Sequence, residues 1–215
     1  MNRSELIKIL ATFADRKPKS ERLVIAIDGL MGSGKTCMAK ELKIEISQYY
    51  STMVASVDEF FNSREIRYSR GLCSPEGCYE DTYNLSAIRD FTRQFKSGAF
   101  QKDILVFEGL FLMRSELIDL WDFSVHVAVD PDIASTRAIF RDSKSADSQI
   151  ELEAKHSARY KPAQTLYMEL EDPMSKVDCI IKNNDIESPC IIENEAAKHN
   201  KHGLRIRDLI TTEKC

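Results

Sequence analysis

The sequence predicts an α/β fold, a three-layer sandwich in which a five-stranded parallel sheet carries helices on both faces. Three observations carry that prediction. Short apolar runs of strand length alternate with segments of helical apolar spacing along most of the chain. The first run, 23–27, reaches Asp28 and a glycine-rich loop that opens directly into a helical segment. The next two runs end at Asp58 and at Glu108, and in such sheets the carboxyl ends of the strands are where ligands gather.

The elements follow in order. Residues 4–14 place Leu6, Ile7, Leu10 and Phe13 on one face of a helix capped near Ser4. Residues 17–20 (KPKS) break it. A strand at 23–28, a helix at 36–49 and a strand at 53–57 come next. Residues 59–83 read as irregular and polar. A helix at 84–96 aligns Leu85, Ile88, Phe91 and Phe95 and is closed by Gly98. Strands at 103–107, 123–129 and 177–181 are separated by helices at 115–121, 131–141 and 162–170. Residues 142–159 are highly charged and weakly helical, and the tail from about 187 to 215 is polar and mixed.

The chain of 215 residues is expected to form one domain, 1–215, large enough for a real core. Its 43% hydrophobic and 30% charged content is that of a globular protein. A net charge of −4 provides no basic field, so nucleic acid is not expected as a partner. No apolar run is long enough to span a membrane, and the N-terminal segment lacks a secretory core. The expected compartment is the cytoplasm. Cys37, Cys73, Cys78, Cys179, Cys190 and Cys215 form no metal-type cluster, so reduced thiols are expected, with a Cys73–Cys78 pair as the minor alternative.

The loop GLMGSGKTC is the most specific motif. Gly29, Gly32, Ser33, Gly34, Lys35, Thr36 and Cys37 form a phosphate-binding P-loop and the first turn of its helix. The glycines let successive N–H groups point into one concavity. Lys35 would sit on the β- and γ-phosphates, and the Thr36 hydroxyl on Mg²⁺. Asp58 is either a catalytic base for a substrate hydroxyl or a cap on the next turn. Glu108 is either a Mg²⁺-side acid of Walker-B type or a solvated strand end. Asp28 orders the loop. Arg137 and Arg141, four apart on one helix face, are either phosphoryl-facing groups entering a lid at about 142–159 or part of a solvated surface. Tyr79, Asp81, Tyr83 and Tyr160 are either a polar-aromatic pocket for a sugar or base, or loop packing. His126 and Trp121 read as core residues.

GLMGSGKT, VDEFF, PEGCYEDTYN, ILVFEGLFL, TRAIFRD, RYKPAQTLYMELEDP and CIIKNND occur in that order. Together they resemble the uridine kinase-like branch of P-loop kinases, in the phosphoribulokinase/uridine kinase group. The resemblance runs from about residue 23 to 185. It implies a P-loop NTPase sandwich with a helical lid, and ATP- or GTP-dependent, Mg²⁺-assisted phosphorylation of a primary hydroxyl on a small molecule. In that branch the acceptor is the 5′-hydroxyl of a pyrimidine nucleoside such as uridine. The resemblance assigns Asp58 as catalytic aspartate, Lys35 and Thr36 as phosphate and magnesium residues, Glu108 as the acid near the metal, and Arg137 and Arg141 as lid-entry arginines.

The chain departs from that pattern in the acceptor region. Gly77-Cys78-Tyr79-Glu80-Asp81 stands where uridine kinases carry Phe-Asp-His-Pro-Asp, Phe61 where they carry Tyr, and Arg159-Tyr160 where they carry Gln-Tyr. Arg159 only donates hydrogen bonds, which favours an acceptor-rich or anionic substrate group. Alternatives are a kinase for another hydroxylated metabolite (nicotinamide riboside, a pentose, a pantothenate-like acid) or a non-catalytic nucleotide-binding switch. A homo-oligomer is left open.

Overall fold

The computed structural model describes residues 1–15, 21–143 and 149–192. In chain order the elements are α1 (Arg3–Asp15), β1 (Leu23–Gly29), α2 (Lys35–Ile46), β2 (Thr52–Ser56), α3 (Arg64–Arg67), α4 (Pro75–Asp81), α5 (Leu85–Ser97), β3 (Ile104–Gly109), β4 (Phe123–Ala128), α6 (Pro131–Asp142), α7 (Gln149–Lys155), α8 (Lys161–Glu171), α9 (Pro173–Lys176), β5 (Cys179–Lys182) and β6 (Cys190–Ile192). The sheet has six strands in the order β2-β3-β1-β4-β5-β6. The five expected strands are parallel, and β6 adds an antiparallel edge on β5. The sequence reading missed β6 because three residues are too few for a periodicity.

Every residue of β1 and β3 is buried, as in strands covered on both faces. Val24, Ala26, Leu105 and Phe107 point to one core, closed by α5 and α8. Leu23, Ile25, Ile104 and Val106 point to the other, closed by α1 and α2. The period-2 alternation of each strand thus feeds two cores at once. Trp121 anchors the first core, its Nε1 donating to the Leu112 carbonyl at 2.8 Å.

Two expectations are corrected. Residues 59–83 are not simply irregular: a 3₁₀ turn at Val57–Phe60 and the helices α3 and α4 are N-capped by Ser56, Ser63 and Ser74. Ser74-Pro75, an N-cap followed by proline at N1, was a legible start signal. The helix expected at 115–121 reduces to a 3₁₀ turn, Ile118–Leu120. There the Ser115 N–H and hydroxyl both bond Glu171, at 3.1 and 2.9 Å, and tertiary bonding overrides local propensity.

Of the expected lid, 144–148 lies outside the described residues; α7 follows and runs through a π turn at His156–Tyr160 into α8. Of the tail, 193–215 lies outside them. Cys37, Cys73, Cys78 and Cys179 are free, so the Cys73–Cys78 pair does not form. Cys190 is disulfide-bonded, against the expectation of a fully reduced set. Among the described residues no helix is long and apolar enough to cross a membrane.

Candidate active site

The loop after β1 is shaped by close approaches. Gly32 has φ +80 and a Cβ there would lie 2.1 Å from the Ala134 carbonyl oxygen; Gly34 has φ +94 and would meet the Asn183 amide at 2.8 Å. Only glycine satisfies both the left-handed backbone and the space. Asn183, just after β5, donates from Nδ2 to the Ser33 carbonyl at 2.8 Å. Gln164 of α8 accepts from the Met31 N–H at 2.7 Å. The loop is thus held from two sides.

Beneath it Asp28 is fully buried. Its Oδ1 accepts from the Leu112 N–H at 3.1 Å, and its Oδ2 accepts the Tyr167 hydroxyl at 2.9 Å and meets His126 Nδ1 at 2.8 Å. This satisfies a buried carboxylate in full. Asp28 and His126 are therefore parts of the scaffold under the loop.

Lys35 donates to the Leu30 carbonyl at 3.1 Å. Desolvation lowers its ammonium below the ordinary value, against the pull of Glu108, Asp28 and Asp58. A cavity of about 180 Å³ opens at the carboxyl ends of β1, β2 and β3, and Lys35, Thr36, Asp58, Glu108 and Arg141 share its wall. These residues, far apart in sequence, meet because β3 lies between β1 and β2 in the sheet.

The capping alternative for Asp58 is not what the structure shows. Ser56 caps the 3₁₀ turn and Glu59 closes the capping box, its Oε1 accepting from the Ser56 N–H at 2.9 Å. The Asp58 carboxylate faces the cavity and accepts the Tyr83 hydroxyl at 3.2 Å. Tyr83 arrives there because residues 61 and 83 form an isolated antiparallel bridge, with Asn62 N–H bonded to the Thr82 carbonyl at 3.0 Å. Glu108 is buried at the end of β3. The glycine after it is required, since a Cβ on Gly109 would lie 2.3 Å from Val57.

The donor set fits the phosphate and metal groups the motif implies. Ser33 Oγ is buried without a partner, and the glycine backbone leaves a cradle that a Cβ would fill. Thr36 and Glu108 offer hard oxygen donors suited to Mg²⁺, which takes its remaining ligands from phosphates and water.

Other expected site residues are not brought together. Tyr79 is buried and donates to Glu171 at 2.7 Å, under the Arg114 guanidinium 4.2 Å from its ring centre. It belongs to the core. Asp81 pairs with Arg70 at 2.9 Å. Neither lines the cavity, because α4 turns this face onto α8 and the loop. Arg137 caps the carbonyls of Asn183 and Asn184 at 2.9 and 2.6 Å. Arg141, one turn on, lines the cavity, and its charge interacts with Asp58 and Glu108. The two arginines share a helix face but not a task. Arg159 and Tyr160 line the cavity, yet Arg159 is 2% exposed and donates to the carbonyls of Arg67, Gly71 and Ser74 at 2.7, 3.2 and 3.1 Å. It holds the wall rather than offering its donors to a base.

The sequence reading did not single out Arg67, Tyr68 or Thr82, which also line the cavity, and it named Cys78 only within the departing 77–81 segment and as a cysteine. They lie in the polar 59–83 stretch, where no periodicity marks them. Asn183 had a signal: it stands in CIIKNND, directly after an apolar strand.

A profile of the Phosphoribulokinase / Uridine kinase family matches residues 90–187. A uridine kinase of Lactobacillus helveticus is 28% identical over 144 residues, which cover 57% of this chain and 68% of that protein. The profile match spans less than half of this chain, and over it the chain is similar to the phosphoribulokinase / uridine kinase family. A pantothenate kinase of Levilactobacillus brevis is 24% identical over 155 residues, 57% of this chain and half of that protein's length. The structure of a possible uridine kinase from Bacillus stearothermophilus superposes with a TM-score of 0.63 at 24% identity, covering 82% of this chain and 97% of that one. The shared fold is that of P-loop kinases.

Proposed function

We propose that the chain transfers the γ-phosphoryl group of ATP or GTP to a primary hydroxyl of a small metabolite, with Asp58 as base. The observation that carries this reading is the meeting of Asp58, Glu108, Lys35, Thr36 and Arg141 on one cavity at the strand ends. Lys35 and the loop N–H groups bind the β- and γ-phosphates. Asp58, held by Tyr83, takes the acceptor's hydroxyl proton as that oxygen bonds to the γ-phosphorus and the bond to the β–γ bridging oxygen breaks. The products are the nucleoside diphosphate and a phosphate monoester. Arg141 offsets charge on the transferring group. Thr36 and Glu108 would hold Mg²⁺, which would supply charge neutralisation on the phosphates. The same reading takes the chain as one catalytic domain working in the cytoplasm.

A pyrimidine ribonucleoside such as uridine is one acceptor. The aromatic lining by Phe61, Tyr68, Tyr83 and Tyr160 supports it, as does the likeness to a uridine kinase. Another hydroxylated metabolite is the second reading, and one specific observation, the unpaired Arg67, favours it. ATP consumption over uridine, cytidine and a set of non-nucleoside alcohols tests the proposal. Turnover of any of them supports a kinase. Tight nucleotide binding with no acceptor consumed points to a nucleotide-binding switch.

A further inference from the structure

Among the described residues the cavity carries one guanidinium, that of Arg67, that forms no ion pair and has a buried Nε without a hydrogen-bond partner. The inference drawn from it rests on the kinase reading above and deepens it by naming the acceptor's class. Both carboxylates in the lining, Asp58 and Glu108, stand at the phosphoryl end beside Lys35 and Thr36. The rest of the lining is aromatic, aliphatic or neutral polar apart from its arginines, with no further acid.

Four cations line the cavity, and three have partners. Lys35 donates to the Leu30 carbonyl, Arg141 pairs with Asp142, and Arg159 is taken up by three backbone carbonyls. Arg67 differs. Its guanidinium lies 4.8 Å from the ring centre of Phe61 and 5.7 Å from that of Tyr68. Its Nε is buried without a partner, and among the described residues no ion pair reaches it. Glu65, on the same short helix, is exposed and bonded to Ser63; that bond, with lesser pulls from Arg64 and Arg67, holds its carboxyl below the ordinary value, but it forms no ion pair with Arg67.

The surroundings reinforce the positive field. Arg159 lies 4.6 Å from the centre of the Tyr68 ring and Lys155 lies 5.7 Å from it, with Lys155 Nζ donating to the Tyr68 hydroxyl at 3.3 Å. Burial pushes the Tyr68 phenol up, but Lys155, Arg159 and Arg67 outweigh it and hold it below its ordinary value. A neutral acceptor would leave a half-buried guanidinium with only ring faces as partners. An anion would complete it with charge-assisted hydrogen bonds.

We propose that the phosphoryl acceptor is an anionic alcohol, bearing a carboxylate or a phosphate ester, and that Arg67 selects it by pairing with that group while its hydroxyl lies at Asp58. Arg159 acts one step back: it fixes the backbone of Arg67 and of the loop to Ser74, and so positions the selecting side chain.

Matched pairs test this on the full chain: glycerate against glycerol, pantothenate against pantothenyl alcohol, and ribose 5-phosphate against ribose, with uridine as the neutral nucleoside. The first two pairs probe a carboxylate and the third a phosphate ester. Calorimetric binding is read on protein loaded with a non-hydrolysable ATP analogue, and turnover is read separately. At least one anionic member is expected to bind roughly tenfold or more tighter than its neutral partner. Arg67→Gln is expected to remove that preference, raising the KM of the acid roughly 10- to 100-fold with the KM for ATP unchanged, while Arg67→Lys keeps part of it. Three results each overturn the proposal: neutral members or uridine binding as well as the anions, a preference that survives Arg67→Gln, or no binding by any anion. The kinase reading fails separately. Acids that bind but are never phosphorylated would sink transfer and leave Arg67 as the selector, whereas neutral alcohols phosphorylated as fast as acids would leave a kinase without the selection.

Discussion

The hydroxyl of Tyr83 donates to the carboxylate of Asp58 at 3.2 Å, from a ring that is itself buried. Burial and the Asp58 charge hold that phenol well above its ordinary value, so it remains a donor across neutral pH. The bond aims one carboxylate oxygen and leaves the other for the substrate. Asp58→Asn should lower kcat by about 10² to 10⁴ with little change in ATP affinity, because the amide keeps the size but cannot take the proton. Tyr83→Phe should cost less, roughly 3- to 30-fold in kcat, by releasing Asp58 from its orientation. Steady-state kinetics separate the two. Collapse of nucleotide affinity with turnover retained would mark Asp58 as a structural or metal group.

Lys35→Ala should abolish most phosphoryl transfer and leave the fold intact. Its ammonium stands among Glu108, Asp28 and Asp58, and among the described residues its hydrogen bond is to the Leu30 carbonyl. A charge of this kind on the β- and γ-phosphates contributes roughly 3 kcal/mol or more to the transition state. Turnover equal to that of the native chain, with an unchanged circular dichroism spectrum, would remove Lys35 from the mechanism.

Glu108→Gln should raise the Mg²⁺ concentration for half-maximal rate several-fold, since an amide binds a hard cation more weakly than a carboxylate. Glu108 is buried at the strand end, on the same cavity wall as Thr36. A magnesium titration that does not move would speak against the metal role.

Arg137 and Arg141 should part company when each is changed to alanine. Arg141 faces Asp58 and Glu108, and its loss should lower kcat by roughly 10²-fold at near-native stability. Arg137 satisfies two carbonyls beside Asn183, and leaving those without a donor should destabilise the chain by about 1–3 kcal/mol. Melting curves and kcat measured on both variants decide the matter. Equal kinetic losses at equal stability would restore the pairing that sequence spacing suggested.

Glu171 ties α8 to the segment after β3. Burial pushes its carboxyl up, yet bonds from Lys176, Tyr79 and Ser115 outweigh burial and hold it below the ordinary carboxylate value. A carboxyl depressed by folding contributes stability that is fully present above its unfolded pKa and is lost as pH falls through the lower folded value. Native protein should therefore lose stability below about pH 4.5 in part through this group. Glu171→Gln should destabilise by about 1.5–3 kcal/mol at neutral pH and flatten the acid limb of the stability curve. Parallel acid limbs in the two proteins would exclude that linkage.

The sheet and the loop were legible because their signals are local. Apolar runs of strand length, the glycine at 98 that closes a helix and the GLMGSGKT loop each act within a few residues. The placement of Asp58, Glu108 and Lys35 at one edge also followed from the sequence, since strand ends of a parallel sheet share a side. The acceptor region was not legible. Tyr79 and Asp81 have the chemistry of a sugar pocket, but α4 directs them to Glu171 and Arg70.

What the sequence by itself determined, then, is the α/β order, the phosphate loop and the acids at the strand ends, because backbone sterics and hydrophobic periodicity act over short distances. What only the tertiary structure decided is which side chains are free to act. Arg159 looked like a substrate contact until three carbonyls took its donors. Arg67 carried no signal until those contacts left it, among the described residues, the cavity cation with a buried donor unused. A hydrogen-bonding side chain has a fixed number of donors, and how they are divided between scaffold and ligand is settled by packing between segments distant in the chain.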